Sequence, residues 1–145
     1  MEIRAYREDT DREGCLAVWD SNVPEFLDAE RRGKFAEFLR DPAAVCFVME
    51  HDGAIIGAGG YAKTGQDSIR LRFGTIRRDL QRQGLGRFLL LYRLKAIGSL
   101  AGVVFVEAEV PEALVRFYEK NGLKPQHRLE GGTVVCRMKL QVCAG

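Results

Sequence analysis

Hydrophobic and polar positions change period several times along this chain, and each change marks an element. The opening EIRAY alternates, which predicts a short strand. Thr10 and Glu13 then carry the T-x-x-E spacing of a capping box, with Leu16 and Trp19 on one helical face behind them, so a first helix is predicted there. The polar stretch SNVPEFLDAERRG is interrupted by Pro24 and Gly33 and reads as a loop or broken helix. Phe35, Phe38 and Leu39 recur at helical spacing and predict a second helix.

In VCFVMEHDGAIIGAGGYA two apolar runs flank Asp52-Gly53, the signature of a tight hairpin. DSIRLRFGTIRR alternates as a strand but contains Gly74, which suggests a bulge or a close backbone approach. A helix is predicted from about Leu85 to Ile97, then a mostly apolar strand, VVFVEAEV, suited to a sheet interior. PEALVRFYEKNGL reads as a helix with Pro111 near its first turn and Gly122 past its end. Two closing strands, Leu123 to Glu130 and Thr133 to Val142, turn at Gly131-Gly132. The order β-α-α-β-β-β-α-β-α-β-β predicts a layered α/β (α+β) domain spanning residues 1–145.

Composition narrows the classes. A chain of 145 residues closes one hydrophobic core. A net charge of +2, with arginines spread along the chain, argues against nucleic acid as a partner. No apolar run approaches the ~18 residues of a membrane span, and the polar, acidic start MEIRAYREDTDREG is unlike a signal or transit peptide. Cys15, Cys46, Cys136 and Cys143 show no C-x-x-C pairing, and His51 and His127 are the only histidines, so neither a zinc site nor a disulfide framework is expected. A reducing cytoplasm fits such thiols. Both histidines read as surface residues, and Tyr61 and Tyr92 as packing residues.

The chemistry concentrates in QRQGLGR, Gln81 to Arg87, at the head of the third helix. Amides at a helix N-terminus have no intrahelical partner and carry the positive end of the dipole, so they attract anions. Gly84 and Gly86 let a phosphate approach the backbone, Arg82 and Arg87 add charge, and Gln81 adds an amide donor. The P-loop pattern G-x-x-x-x-G-K-[ST] does not occur. A dinucleotide G-x-G-x-x-G fails at its third glycine, where Leu89 stands, although Glu107 lies at a suggestive distance downstream.

Gln81, Gly84 and Gly86 do match [QR]-x-x-G-x-[GA], and VRFYEKNGL (Val115 to Leu123) is similar to a YEKxGF segment. Through these two motifs, in this order, the chain resembles the GCN5-related N-acetyltransferase (GNAT) superfamily. The resemblance runs from about Ile3 to Leu140 and is clearest from Ile76 to Leu123. It implies a mixed, mostly antiparallel central sheet with helices on both faces. It also implies acetyl-CoA as acetyl donor, its pyrophosphate held by Gln81, Arg82, Gln83, Gly84, Leu85, Gly86 and Arg87 and its pantetheine arm near Ile76, beside a bulge around Phe73 to Arg77.

Direct attack by a primary amine needs a base, for which Glu107 is the first choice, with Glu109 on the same strand face and assigned to the acceptor. Backbone N–H groups near Ile76 would stabilise the oxyanion. The resemblance places Tyr118 as the acid for the departing thiolate. Phe26, in the loop between the first two helices, is assigned to the acceptor side. Small amines, amino acids, antibiotics and protein N-termini all stay open as acceptors, as do longer acyl chains. A homodimer is common for such a fold. Two departures stand out: Arg78 where the family often has proline, and Pro111 where it often has a cofactor-binding asparagine. The second keeps a non-catalytic acyl-CoA binding or sensing module as the alternative.

Overall fold

The computed structural model describes residues 1–22 and 29–140. Its elements are β1 (Glu2–Ala5), α1 (Glu8–Asp20), α2 (Ala29–Arg40), β2 (Ala44–His51), β3 (Ala54–Lys63), β4 (Ser68–Ile76), α3 (Leu85–Gly98), β5 (Phe105–Pro111), α4 (Val115–Lys120), β6 (Lys124–Arg128) and β7 (Thr133–Lys139). Single 3₁₀ turns occupy Arg78–Leu80 and Glu112–Leu114. This is the element order read from the sequence. The strands form one seven-stranded sheet in the order β1-β2-β3-β4-β5-β7-β6. Strands β4 and β5 are parallel, while β1 with β2, β5 with β7 and β6 with β7 are antiparallel.

Both glycine hairpins form as expected, because each turn places two consecutive residues at positive φ. Asp52 and Gly53 lie at 51° and 78°, and Gly131 and Gly132 at 93° and 89°. That is the backbone a two-residue hairpin with right-handed strand twist requires. Three local expectations change. Helix α1 begins at Glu8, ahead of the Thr10–Glu13 pair. The Arg7 amide is instead capped by the Asp11 carboxylate at 2.7 Å. Gly33 lies inside α2 rather than breaking it. Burial of Phe35, Phe38 and Leu39 on one face outweighs a glycine penalty of about 1 kcal/mol. Pro111 closes β5, paired with Thr133, and α4 begins only at Val115 after the 3₁₀ turn.

The described residues of Met1–Tyr61 with Phe73–Leu94 form one compact unit, and those of Ala62–Arg72 with Lys95–Gly145 a second. In the first, Phe73 sits among the rings of Trp19, Phe35 and Phe38, with centroids 5.1–5.9 Å away. Its neighbour Gly74 faces Arg93 of α3, so successive residues of β4 meet helices on opposite faces of the sheet. The irregular residue of β4 is Phe73, at φ 54°, and not Gly74. Gly74 is needed for space: a Cβ there would stand 2.8 Å from Arg93 Nη2. In the second unit, Val106, Ala108, Val110, Val134 and Cys136 are buried on one sheet face, and Glu107, Glu109, Thr133 and Arg137 alternate with them.

Candidate functional site

The turn before α3 is built from its backbone outward. Arg82 and Gly84 lie in the left-handed region, at φ 66° and 82°. These reversals bring the chain from the 3₁₀ turn into the helix, whose first i to i−4 bond runs from the Phe88 amide to the Gly84 carbonyl at 3.0 Å. Amides ahead of Phe88 therefore precede the helical ladder, at the positive end of a 14-residue helix. Gln81, Arg82, Gln83, Gly84 and Arg87 are exposed, and Leu85 and Gly86 are half-buried. A Cβ at Gly84 would meet nothing within 4 Å, so the space above it is open. Leu85 and Leu80 pack on the cluster of Met49, Ile56, Ile76 and Leu89, which ties the turn to the core.

Gln81 does something the sequence did not indicate. Its Nε2 donates to Asn22 Oδ1 at 2.5 Å and to the Ile76 carbonyl at 3.1 Å. Asn22, only 5% exposed, in turn donates to the carbonyls of Val18 and Ile76, at 3.2 and 3.1 Å. A buried amide with several partners is a rigid fixture. Gln81 thus braces the turn against the end of β4, its donor directed into the protein. The Ser21 hydroxyl accepts from the Arg78 amide at 3.1 Å and adds a second brace. Arg77 forks onto Asp79, at 2.7 and 3.2 Å, and holds that carboxyl below its ordinary range.

In the second unit, the parallel ladder of β4 with β5 runs from Ser68↔Phe105 to Arg70↔Glu107, while β5 stays paired with β7 as far as Pro111. Glu107 and Glu109 share one face, as expected from their spacing. Neither stands alone. Glu107 accepts from Arg70 at 2.8 Å and lies 3.9 Å from Arg137, whose guanidinium stacks on Phe105 at 3.6 Å. Glu109 lies 3.8 Å from Arg70 and accepts from the Thr133 hydroxyl at 2.9 Å. Arg70 and Arg137 are residues the sequence reading missed; their alternation in SIRLRF and VVCRMK marks a polar face, but only the cross-strand register shows which acid they meet. Tyr118, half-buried on α4, packs edge-on against Phe117 at 5.3 Å. Phe26 lies outside the described residues.

Burial pushes the thiol of Cys46 up to about 12 and raises Cys15 and Cys136 as well. His51 and His127 are exposed, Tyr61 is buried, and Tyr92 packs on Phe47 at the surface. Among the described residues no group of three or more His, Cys, Asp or Glu is placed to hold a metal, and no helix is long and apolar enough to cross a membrane.

Known proteins bear on this arrangement. A protein of Desulfovibrio desulfuricans assigned to the GNAT family has a TM-score of 0.83 and 19% identity, over 95% of this chain and 98% of that one. The GNAT-like decarboxylase GphF, solved with isobutyryl-CoA, has 0.81 and 17%, over 97% and 100%. The ribosomal-protein-S18-alanine N-acetyltransferase of Escherichia coli has 0.79 and 19%, over 99% and 96%. At such identities the likeness carries the fold alone. No curated protein sequence matches the chain. The model of the acetyltransferase (GNAT) family matches residues 12–123, most of the chain, from within α1 through the turn before α3 and past the end of α4, and the chain belongs to that family.

Proposed function

We propose that residues 1–145 act as a single N-acetyltransferase domain that moves an acetyl group from acetyl-CoA to a primary amine, in one ternary complex. The observation that carries this reading is the turn Gln81–Arg87: exposed, glycine-opened, left-handed at Arg82 and Gly84, and seated at a helix N-terminus. That donor set suits a pyrophosphate, since open space above Gly84 and backbone amides meet an anion without displacing protein atoms. Arg82, Gln83, Gly84, Leu85, Gly86 and Arg87 would hold it, with Gln81 fixing the turn and the β4 end near Ile76 taking the pantetheine arm. Bound there, acetyl-CoA supplies an acetyl group activated as a thioester.

The chain's own residues supply the proton movements. Glu107, held by Arg70, accepts a proton from the amine, and Glu109 attracts the cationic acceptor. Tyr118 donates a proton toward the departing sulfur. Backbone N–H groups near Ile76 would stabilise the carbonyl oxygen as charge builds on it. The atoms balance as an amide and free CoA. Phe26 is proposed for the acceptor side. Thiols raised by burial are poor nucleophiles, which supports direct transfer over a cysteine intermediate. Among the described residues Cys15, Cys46 and Cys136 are free thiols, which also favours a reducing compartment such as the cytoplasm.

A second reading, acyl-CoA binding without turnover, is favoured by one observation: Glu107 is already engaged by Arg70 and flanked by Arg137. Calorimetric titration with acetyl-CoA, beside CoA, NAD and ATP, followed by an amine panel, separates the readings. Binding with turnover supports the transferase, and binding with none on any amine supports the sensing module. No acetyl-CoA binding sinks both.

A further inference from the structure

We infer that Arg93 is a positioning residue for the acyl-CoA site: its guanidinium backs the kinked end of β4 and holds Phe73–Ile76 in shape. Arg93 is 3% exposed on α3, and its Nη1 donates to the Gly60 carbonyl at 3.2 Å. The guanidinium lies against two glycines of neighbouring strands. A Cβ on Gly74 would stand 2.8 Å from Nη2, and one on Gly59 would stand 3.2 Å from Cζ and 3.2 Å from the Gly74 Cα. Phe73, next to Gly74, holds a left-handed φ of 54°, which a bulky residue rarely adopts. Such a conformation persists only where its surroundings over-determine it. Here the rings of Trp19, Phe35 and Phe38 grip the Phe73 side chain on one face, and Arg93 presses on Gly74 from the other.

Burying a guanidinium is costly, and an apolar side chain would fill the volume at less cost. What the guanidinium adds is a flat face that fits over glycine backbone together with a donor that reaches a β3 carbonyl. Two residues beyond Gly74, the Ile76 carbonyl receives Asn22 and Gln81. The kink is thus linked by covalent and hydrogen bonds to the anion turn, and α3 carries that turn at its head and Arg93 two turns on. The ligand in this inference rests on the acyl-CoA reading; the clamp itself does not.

The test uses Arg93→Met, which keeps the stem and removes the donors, and Gly74→Ala, which displaces the guanidinium and keeps its charge. Val48→Ala, a buried β2 residue outside both elements, serves as a control of lowered stability. Amide hydrogen exchange at Phe73–Ile76 is expected to quicken in Arg93→Met and Gly74→Ala relative to Val48→Ala. Unchanged exchange there in either variant overturns the clamp, whether or not CoA binds. In calorimetry with CoA, both variants are expected to bind about tenfold more weakly than wild type, with Val48→Ala unaffected. Wild-type affinity in both overturns the positioning role even if exchange has quickened. Absence of CoA binding by the wild type overturns the functional reading and, with it, the ligand assigned to this clamp. Should Arg93→Met not fold, Gly74→Ala decides on both readouts.

Discussion

Gly84 offers the cleanest separation of backbone strain from ligand contact. It holds φ at 82°, and a Cβ there would touch nothing within 4 Å. Gly53, in the hairpin between β2 and β3, is matched in both respects, with φ 78° and the same open surroundings. An L-residue in the left-handed region costs about 1–2 kcal/mol. With no protein atom to clash, Gly84→Ala and Gly53→Ala should each lose that amount and no more. For a chain of this size the loss lowers Tm by about 3–8 °C. Strain present in both the free and the bound protein cancels in binding. Any loss of affinity specific to Gly84→Ala must therefore come from the methyl group meeting the ligand.

We expect Gly84→Ala to bind CoA at least tenfold more weakly, about 1.4 kcal/mol, and Gly53→Ala to bind as wild type. Thermal melts and calorimetric titrations on the three proteins measure both quantities. Equal loss in the two variants would mean that the effect is global. Full affinity in Gly84→Ala would mean that no ligand lies against this turn and that the open glycine serves the backbone alone.

Three further outcomes follow from named contacts. Asp11 is 2% exposed and takes two bonds from Arg4, at 2.7 and 2.9 Å, which hold its carboxyl below the ordinary value of 3.8. The unfolded chain binds the proton first, so this stability is complete above that value and drains as pH falls below it. Asp11→Asn should cost on the order of 3 kcal/mol at neutral pH and flatten the acid slope in urea melts; an unchanged slope would show that other carboxylates set it. Cys46 is raised to about 12 by burial and Cys15 is raised further, so peptide-resolved alkylation at mildly alkaline pH should label neither until denaturant is added. Native labelling of either would contradict the burial. Once an amine acceptor is found, Tyr118→Phe should lower kcat by about 10²-fold or more with CoA affinity retained, and unchanged kcat removes Tyr118 from the proton path.

Features readable from the sequence were those encoded within a few residues. Asp52-Gly53 and Gly131-Gly132 announced their turns because only such pairs adopt two positive φ angles at low cost. Phe35, Phe38 and Leu39 marked a buried helix face by spacing alone. Gln81, Gly84 and Gly86 marked the exposed turn before α3, since a helix head opened by glycine is a local device. The limits of this local reading show at Gly33 and Thr10, where propensity and capping pattern yielded to burial and to Asp11.

Tertiary structure alone decided how those devices are held. The Gln81–Asn22 bond joins residues 59 apart and the Arg70–Glu107 bond residues 37 apart, and each exists only through the register of distant segments. Phe73 took the strained φ that Gly74 suits by type, because three rings from α1 and α2 fix its side chain while Arg93 needs the space at Gly74. A glycine in a strand signals missing bulk; which neighbour fills that space depends on mutual burial across the sheet, and no window of sequence contains it.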